Sequence, residues 1–120
     1  MARVLIVDDA LIMRRILGTL LEKSGHEVVG NASNANEAKA LYQELHPDLV
    51  TMDILMEGAD GVTCLKQIIQ TDPDARVIMI TAQGHGQLER QSRAAGARGF
   101  VAKPIEQDAL QAEVQNALSD

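Results

Sequence analysis

Four short apolar segments of this chain each end in side chains that can take part in chemistry. One of them, residues 48–53, has an apolar, β-branched centre and ends in the carboxylate of Asp53. The other three end in Asp8-Asp9, Thr81 and Lys103-Pro104. Because ligands of open parallel α/β sheets bind outside the carboxyl ends of the strands, we expect these groups at one sheet edge. Three acids, a hydroxyl and an amine there would form a site for a metal ion and an anion, with Asp53 in its middle.

The crowding of carboxylates indicates a divalent cation. Carboxylates within a few ångströms repel one another and are unfavourable to ionise together. All-oxygen ligation suits Mg²⁺, which favours sites shared with phosphate oxygens. The Lys103 amine could pair with a bound anion and the Thr81 hydroxyl could donate to it, and phosphoryl transfer requires such groups. We therefore expect a Mg²⁺ site in which Asp53 is the nucleophile and forms an aspartyl phosphate. A single strand-end acid usually only caps or is solvated, but four such strand ends together favour a functional site.

Length and composition limit the class of protein. The 120 residues fit a single domain, residues 1–120, that is long enough for a real core. A formal net charge of -6 argues against a nucleic-acid-binding surface. No segment approaches the roughly 18 apolar residues of a membrane span. The first residues, 1–3, carry no signal-peptide pattern. We therefore expect no membrane insertion and a cytoplasmic location.

The chain alternates strand-like and helix-like segments five times. The predicted strands cover residues 3–7, 27–29, 48–53, 76–81 and 99–103. The predicted helices run over residues 10–24, from a cap at Asn34 or Asn36 to His46, from Gly61 to a turn at residues 71–74, between Gly86 and Gly96, and through Leu110, Val114 and Leu118. Residues 54–60 are predicted to form a loop. In the first helix, helical spacing predicts a core-facing stripe of Ile12, Met13, Ile16, Leu17 and Leu20.

Strict alternation of this kind predicts an α/β fold with a five-stranded parallel sheet and helices on both faces. Right-handed crossovers leave two competing strand orders, 2-1-3-4-5 and 3-2-1-4-5. The first order places strands one and three side by side, so that Asp8 and Asp9 lie next to Asp53. The second order would separate them, and the expected chemistry therefore favours the first.

The fourth helix is predicted to be loosely held. Leu88 is its only large apolar residue before Gly96. A helix with so little surface to bury gains little from tertiary packing and opens easily.

Five motifs in register give the chain a family resemblance. They are Leu5-Ile6-Val7-Asp8-Asp9, Met52-Asp53-Ile54-Leu55-Met56, Asp60-Gly61, Thr81-Ala82 and Lys103-Pro104. Together they resemble the receiver domain of two-component response regulators over essentially the whole chain. Asp8-Asp9 followed by Met13-Arg14-Arg15 looks like the single-domain CheY-type chemotaxis regulators. The resemblance implies a flavodoxin-like fold, and CheY is itself a standard example of the 2-1-3-4-5 order.

For the acid cluster, the resemblance implies a phosphoacceptor and its metal. Asp53 would accept phosphate from a phosphohistidine on a histidine kinase or phosphotransfer protein. Asp9, Asp53 and the backbone carbonyl of Leu55 would hold Mg²⁺, while Asp8 would act through a water. The chain would then be a phosphoacceptor switch of a two-component, chemotaxis-type system.

For the other strand ends, the resemblance implies a phosphate contact and a switch. Lys103 would pair with the phosphate, Thr81 with Ala82 would move to bind it, and the peptide bond before Pro104 would be cis. Phe100 would be the rotating aromatic residue that reports the state to a downstream target protein. That target would bind the face formed by helix 4, strand 5 and helix 5.

The chain departs from the family pattern in the loop after Asp53. Glu57 stands where a proline usually follows the methionine, which frees the loop and implies weaker metal affinity. Leu55 and Gln83 occupy the two positions that tune phosphate lifetime in the family. Because Leu55 is apolar and cannot position an attacking water, we expect slow self-dephosphorylation.

Two other classes of protein share parts of this pattern. A Mg²⁺-dependent aspartyl-phosphate phosphatase of the haloacid dehalogenase type has Asp-x-Asp on its first strand, whereas Asp8 and Asp9 are adjacent here. A flavodoxin-like flavin binder needs a phosphate loop rich in hydroxyls and glycine, where these acids would repel the flavin phosphate. We therefore expect no enzyme beyond self-directed phosphotransfer and autodephosphorylation. The chain is either a stand-alone regulator or the receiver part of a longer regulator with an output domain.

Overall fold

Five short strands carry the apolar segments of the sequence. In the computed structural model, which describes residues 1–56, 59–82 and 86–119, they are β1 (Arg3–Val7), β2 (Glu27–Ala32), β3 (Leu49–Asp53), β4 (Val77–Thr81) and β5 (Gly99–Ala102). The strands form one parallel sheet in the order β2-β1-β3-β4-β5. This order confirms the predicted 2-1-3-4-5 arrangement and rules out 3-2-1-4-5.

Five helices cover both faces of the sheet, as predicted. They are α1 (Leu11–Lys23), α2 (Ala35–Leu45), α3 (Gly61–Thr71), α4 (Gly86–Ala95) and α5 (Gln107–Leu118). Helices α1 and α5 share one apolar cluster with the sheet, in which Leu17 contacts the same core as Val114. The opposite cluster is formed with α2, α3 and α4. None of the helices in the described part of the chain is long and apolar enough to cross a membrane.

The two strands at the centre of the sheet are completely buried. Every residue of β3 and of β4 is inaccessible to solvent or nearly so, as expected for parallel strands that are covered on both faces. The apolar residues hold the strands in place, and the strands deliver Asp53 and Thr81 to the same edge of the sheet.

The start and end of α2 follow from local chemistry. The side chain of Asn34 accepts a hydrogen bond of 2.8 Å from the backbone N–H of Glu37, so Asn34 rather than Asn36 caps this helix. His46 ends it in the left-handed region, with φ of 46°.

Two sequence predictions were wrong: the core-facing side of α1 and the length of β2. On α1, Ile12 and Ile16 are 72% and 42% exposed, whereas Leu17 and Leu21 are buried. Ile16 lies about 100° around the helix from Leu17, because an α-helix has about 3.6 residues per turn, and so it points away from the sheet. Strand β2 runs to Ala32 rather than ending at residue 29, because its pairing with β1 continues through Asn31 and overrides weak local β-propensity.

Residues 54–60 were expected to be a loop, but part of this segment is paired. Leu55–Met56 forms a short antiparallel ladder with Ala59–Asp60. The ladder returns the chain to Gly61 directly beside the end of β3. Glu57 and Gln83, to which the sequence assigned effects on metal affinity and phosphate lifetime, lie outside the described residues.

Candidate functional site

Three carboxylates converge at the carboxyl edge of the sheet. Strands β1 and β3 are neighbours, with Val7 paired to Met52, so Asp8, which follows β1, is adjacent to Asp53, the last residue of β3. One carboxylate oxygen from each of Asp8, Asp9 and Asp53 lies within 4.8 Å of the other two. The predicted strand order therefore produces the predicted acid cluster.

Asp8 is the most deeply placed of the three acids, with 0% exposure. Its Oδ1 accepts a hydrogen bond of 2.9 Å from the N–H of Ala10, while its buried Oδ2 has no hydrogen-bond partner among the described residues. Burial raises the pKa of Asp8, although the Ala10 hydrogen bond and the cation of Lys103 lower it. The charge of Asp9 raises it further. A buried carboxylate oxygen without a partner is a position that a ligand or water would satisfy.

Asp53 lies between the acids and the amine. Its Oδ1 accepts a hydrogen bond of 3.3 Å from the N–H of Leu55 and lies 3.6 Å from Nζ of Lys103. Burial raises the pKa of Asp53, and the nearby charge of Asp8 raises it further, while Lys103 opposes both. The side chain is 7% exposed, so Asp53 is almost completely buried.

Strands β4 and β5 position the hydroxyl and the amine. Thr81 pairs with Ala102, and the N–H of Lys103 donates to the carbonyl of Thr81 at 2.8 Å. The buried hydroxyl of Thr81 donates to the carbonyl of the exposed Ala82 at 2.9 Å. The peptide bond between Lys103 and Pro104 is cis, as the resemblance implied.

The position of Gly61 explains why a glycine follows Asp60. A Cβ atom built on Gly61 would collide with the backbone carbonyl oxygen of Asp53. The N–H of Gly61 also donates to the carbonyl of Ile54 at 2.6 Å. A residue without a side chain is therefore required for α3 to pack against the end of β3.

Sequence reasoning missed the role of Arg14. It left Arg14 and Arg15 open between a solvated helix face and a docking patch. In the structure, Nη1 of Arg14 donates to the backbone carbonyl of Asp8 at 2.6 Å, whereas Arg15 is exposed. The available signal was spacing, since Arg14 lies one turn into the helix that follows the acids.

Phe100 lies outside the acid cluster, on the edge strand β5. It is half-buried and packs against the apolar cluster under α2, α3 and α4. Phe100 therefore belongs to the packing of this face of the sheet and not to the acid cluster.

The acid cluster fits a divalent cation. It offers only oxygen donors, it includes a buried carboxylate oxygen without a partner among the described residues, and the pKa values of Asp8 and Asp53 are raised because the ionised forms are poorly solvated. A bound cation would remove that penalty.

Comparison with known proteins identifies the family. The family model described as the response regulator receiver domain matches residues 4–115. The chain is 44% identical to the chemotaxis protein CheY of Bacillus subtilis over 117 residues, 98% of each chain. It is 44% identical to CheY of Thermotoga maritima over 104 residues, 87% of each chain.

A solved structure gives the same result. A chain of the CheX-CheY-BeF3-Mg²⁺ complex from Borrelia burgdorferi aligns with a TM-score of 0.93 and 34% identity, over 98% of this chain and 90% of that chain. The family match, the sequence relatives and the shared architecture agree with the acid cluster on the switch-point edge. The chain therefore belongs to the receiver domain family of two-component response regulators, and within it to the CheY type.

Proposed function

We propose that Asp53 is the phosphoacceptor of this receiver domain and that its phosphorylation depends on Mg²⁺. The observation that carries the proposal is the placement of Asp53, which lies within reach of two other acids on one side and of Lys103 on the other. An acceptor needs a nucleophile, a means of balancing acid charge and a cation for the transferred group. Asp53 supplies the nucleophile, and the amine of Lys103 supplies the cation for the transferred group. The proposed Mg²⁺ would balance the charge of the acids.

The transfer itself is an in-line displacement at phosphorus. A carboxylate oxygen of Asp53 forms a bond to the phosphorus of a donor phosphohistidine, the P–N bond breaks, and the imidazole leaves with the electron pair. The Lys103 amine pairs with the phosphoryl oxygens as they arrive. Bound Mg²⁺ would neutralise the acid cluster and the phosphoryl oxygens.

Asp9 and Asp53, with the backbone carbonyl of Leu55, are the proposed direct ligands, and Asp8 acts indirectly. The burial of Asp8 and the exposure of Asp9 support this division, because an exposed carboxylate is accessible to an incoming hydrated ion. We expect Asp9→Ala to weaken Mg²⁺ binding more than Asp8→Ala in a metal titration. Equal losses, or the opposite order, would contradict the assignment.

The donor is proposed to be a histidine kinase or a phosphotransfer protein, and the output a change on the face formed by α4, β5 and α5. Thr81 and Phe100 support this route, because they lie on neighbouring strands that join the site to that face. A downstream target protein would bind there. We propose no catalysis on other substrates, only self-directed phosphotransfer and autodephosphorylation.

Intact-mass measurement tests the acceptor assignment. With Mg²⁺ and acetyl phosphate, the wild-type chain should gain one phosphoryl group, and Asp53→Asn should gain none. Asp108→Asn is a matched control, because Asp108 is an exposed acid in the first turn of α5. An Asp53→Asn chain that is phosphorylated at the wild-type rate would place the acceptor elsewhere.

A further inference from the structure

The backbone of Phe100 is fixed on both sides of β5. On the inner side, Phe100 pairs with Met79 of β4. On the outer side, its N–H donates to Oε1 of Glu113 on α5 at 2.8 Å, and the same oxygen lies 2.9 Å from the place where Gly99 would carry a Cβ. These contacts hold the backbone of Phe100 in register, so the change that the switch needs there is a rotation of the side chain.

The ring of Phe100 is covered by a cation from another helix. The guanidinium carbon of Arg93 lies 4.4 Å from the ring centroid, well within the range of about 6 Å at which a cation is attracted to an aromatic face. Arg93 is exposed and lies in the last turn of α4. The stack therefore joins the end of α4 directly to the residue that must rotate.

Helix α4 also packs on α3 and on β4, but it buries little of its own surface. Its buried residue is Ser92, whose hydroxyl has no hydrogen-bond partner among the described residues. Leu88 and Ala95 are only partly buried. Because an unpaired buried hydroxyl is unfavourable and the apolar contact is small, the Arg93 stack adds a contact to β5 for a helix that is weakly held.

Thr81 and Phe100 lie on the same face of the sheet. In β4 and β5, Met79 pairs with Phe100 and Thr81 pairs with Ala102, so alternation places Thr81 and Phe100 diagonally adjacent under α4. At present the Thr81 hydroxyl is bonded to the carbonyl of Ala82 and not to Asp53. Movement of Thr81 toward a phosphate would open space beside the ring.

We propose that Arg93 is a positioning residue of the switch. Its guanidinium, stacked on Phe100, holds the ring where it lies in the unphosphorylated protein and holds α4 against β5. Rotation of the ring requires the stack to break, so Arg93 sets how much of the protein adopts the rotated state before phosphate arrives. The inference rests on the function proposed above, since it concerns how that switch is restrained.

The sequence provides a single-site probe, because Phe100 is its one phenylalanine. Incorporation of 4-fluorophenylalanine gives one ¹⁹F resonance that reports on this ring alone. The resonance is recorded with and without acetyl phosphate and Mg²⁺ for the wild type, Arg93→Gln, Arg93→Lys and Arg90→Gln. Arg90 lies in the same helix and is exposed, so Arg90→Gln matches the change in charge without removing the stack. Fluorine withdraws electrons from the ring and weakens its attraction for a cation, so the difference between the labelled wild type and labelled Arg93→Gln is a lower limit for the unlabelled ring.

Without a phosphodonor, the Arg93→Gln resonance should move part of the way to the phosphorylated wild-type position. The rotated population should rise about two- to fivefold, the factor that corresponds to about 0.5–1 kcal/mol for an exposed stack. Arg93→Lys should fall between the two, and Arg90→Gln should stay at the wild-type position. By reciprocity, the concentration of beryllofluoride that converts half of the protein should fall by the same factor in Arg93→Gln.

An Arg93→Gln resonance that coincides with that of Arg90→Gln would overturn the role of Arg93 and leave the proposed switch intact. A wild-type resonance that does not move, while intact mass shows phosphorylation, would instead overturn the output through Phe100 and the inference with it.

Discussion

The amine of Lys103 lies 3.6 Å from Oδ1 of Asp53, although Asp53 ends β3, Lys103 follows β5, and β4 lies between these two strands. The cation is therefore in place before any phosphate arrives. It favours the phosphoryl group, which is an anion, but it opposes a metal cation bound to the same carboxylate. The positive charge of Lys103 therefore favours phosphorylation of Asp53 and disfavours metal binding.

Replacing Lys103 by methionine should separate these two effects. We expect Mg²⁺ affinity to rise about two- to tenfold, because a half-exposed charge close to the metal site is removed. Phosphorylation by acetyl phosphate should slow by about tenfold or more, since the arriving oxygens lose their cation. Metal titration and intact-mass kinetics measure the two quantities on the same sample.

Lys103→Arg is the control, because it retains the charge and should keep Mg²⁺ affinity near the wild-type value. If Lys103→Met weakened metal binding, the amine would be supporting the metal site rather than opposing it.

The raised pKa values of Asp8 and Asp53 make stability depend on pH in a defined direction. The folded chain holds these protons more tightly than the unfolded chain, so the stability gained from the protonated carboxyls is complete below the ordinary aspartate pKa. It is lost as pH rises through the raised values. At neutral pH without metal, Asp8→Asn should therefore raise the thermal midpoint.

The gain from Asp8→Asn should shrink as the pH is lowered toward about 4, near the ordinary aspartate pKa. Mg²⁺ should stabilise the wild type more than the variant, and its affinity should fall with decreasing pH as the carboxyls take up protons. Thermal melts at several pH values, with Mg²⁺ and with EDTA, measure all three effects. A variant less stable than the wild type at neutral pH would show that Asp8 supports the fold as an anion.

Two glycines should respond to alanine in opposite ways. Gly61→Ala places a methyl group against the carbonyl of Asp53 and should destabilise the protein by about 1–3 kcal/mol or more. Gly18 lies inside α1, and the atom nearest to the position that a Cβ would take there is Cδ1 of Ile6, at 4.0 Å. Gly18→Ala should stabilise by about 0.5–1 kcal/mol. Urea unfolding of both variants tests the pair, and a neutral Gly61→Ala would remove the close approach as the reason for that glycine.

In Thr81→Ala, phosphorylation of Asp53 should no longer change α4 and Phe100. Phosphate on Asp53 adds charge and acceptor oxygens that attract the Thr81 hydroxyl, and the space that Thr81 leaves is the space the ring of Phe100 can enter. Amide exchange with and without beryllofluoride should change most in α4 and around Phe100 in the wild type. In Thr81→Ala that change should disappear while Asp53 still accepts phosphate.

Thr81→Ser keeps the hydroxyl and should keep the change. Exchange differences that are confined to the acid loops, or that survive in Thr81→Ala, would rule out this route.

The strand order was predictable because the expected acid cluster can form in only one of the two orders considered. Only one of the two plausible orders puts Asp8 next to Asp53, and the apolar runs that end in polar groups are visible in the sequence. The extent of β2 was not predictable, because Asn31 belongs to the strand only through its pairing with β1. The inward face of α1 was misjudged because Ile12 and Ile16 have the same apolar character as Leu17, and only the angle at which the helix meets the sheet distinguishes them.

The members of the site were predictable, but not the contacts that support them. Asp53 and Lys103 could be placed at one edge from strand ends alone. Two examples are the hydrogen bond from Arg14 to the backbone of Asp8 and the close approach of Gly61 to the carbonyl of Asp53. Both depend on distances of a few ångströms between separate elements. Such distances do not leave a periodic pattern in the sequence.

The carboxylate of Glu113 has a consequence for association as well as for the switch. Strand β5 is an edge of the sheet, and an exposed edge can add a strand from another chain. Glu113 occupies the N–H of Phe100 and brings a negative charge to the place where such a strand would lie. We therefore expect Glu113 to disfavour the addition of a strand from another chain at this edge.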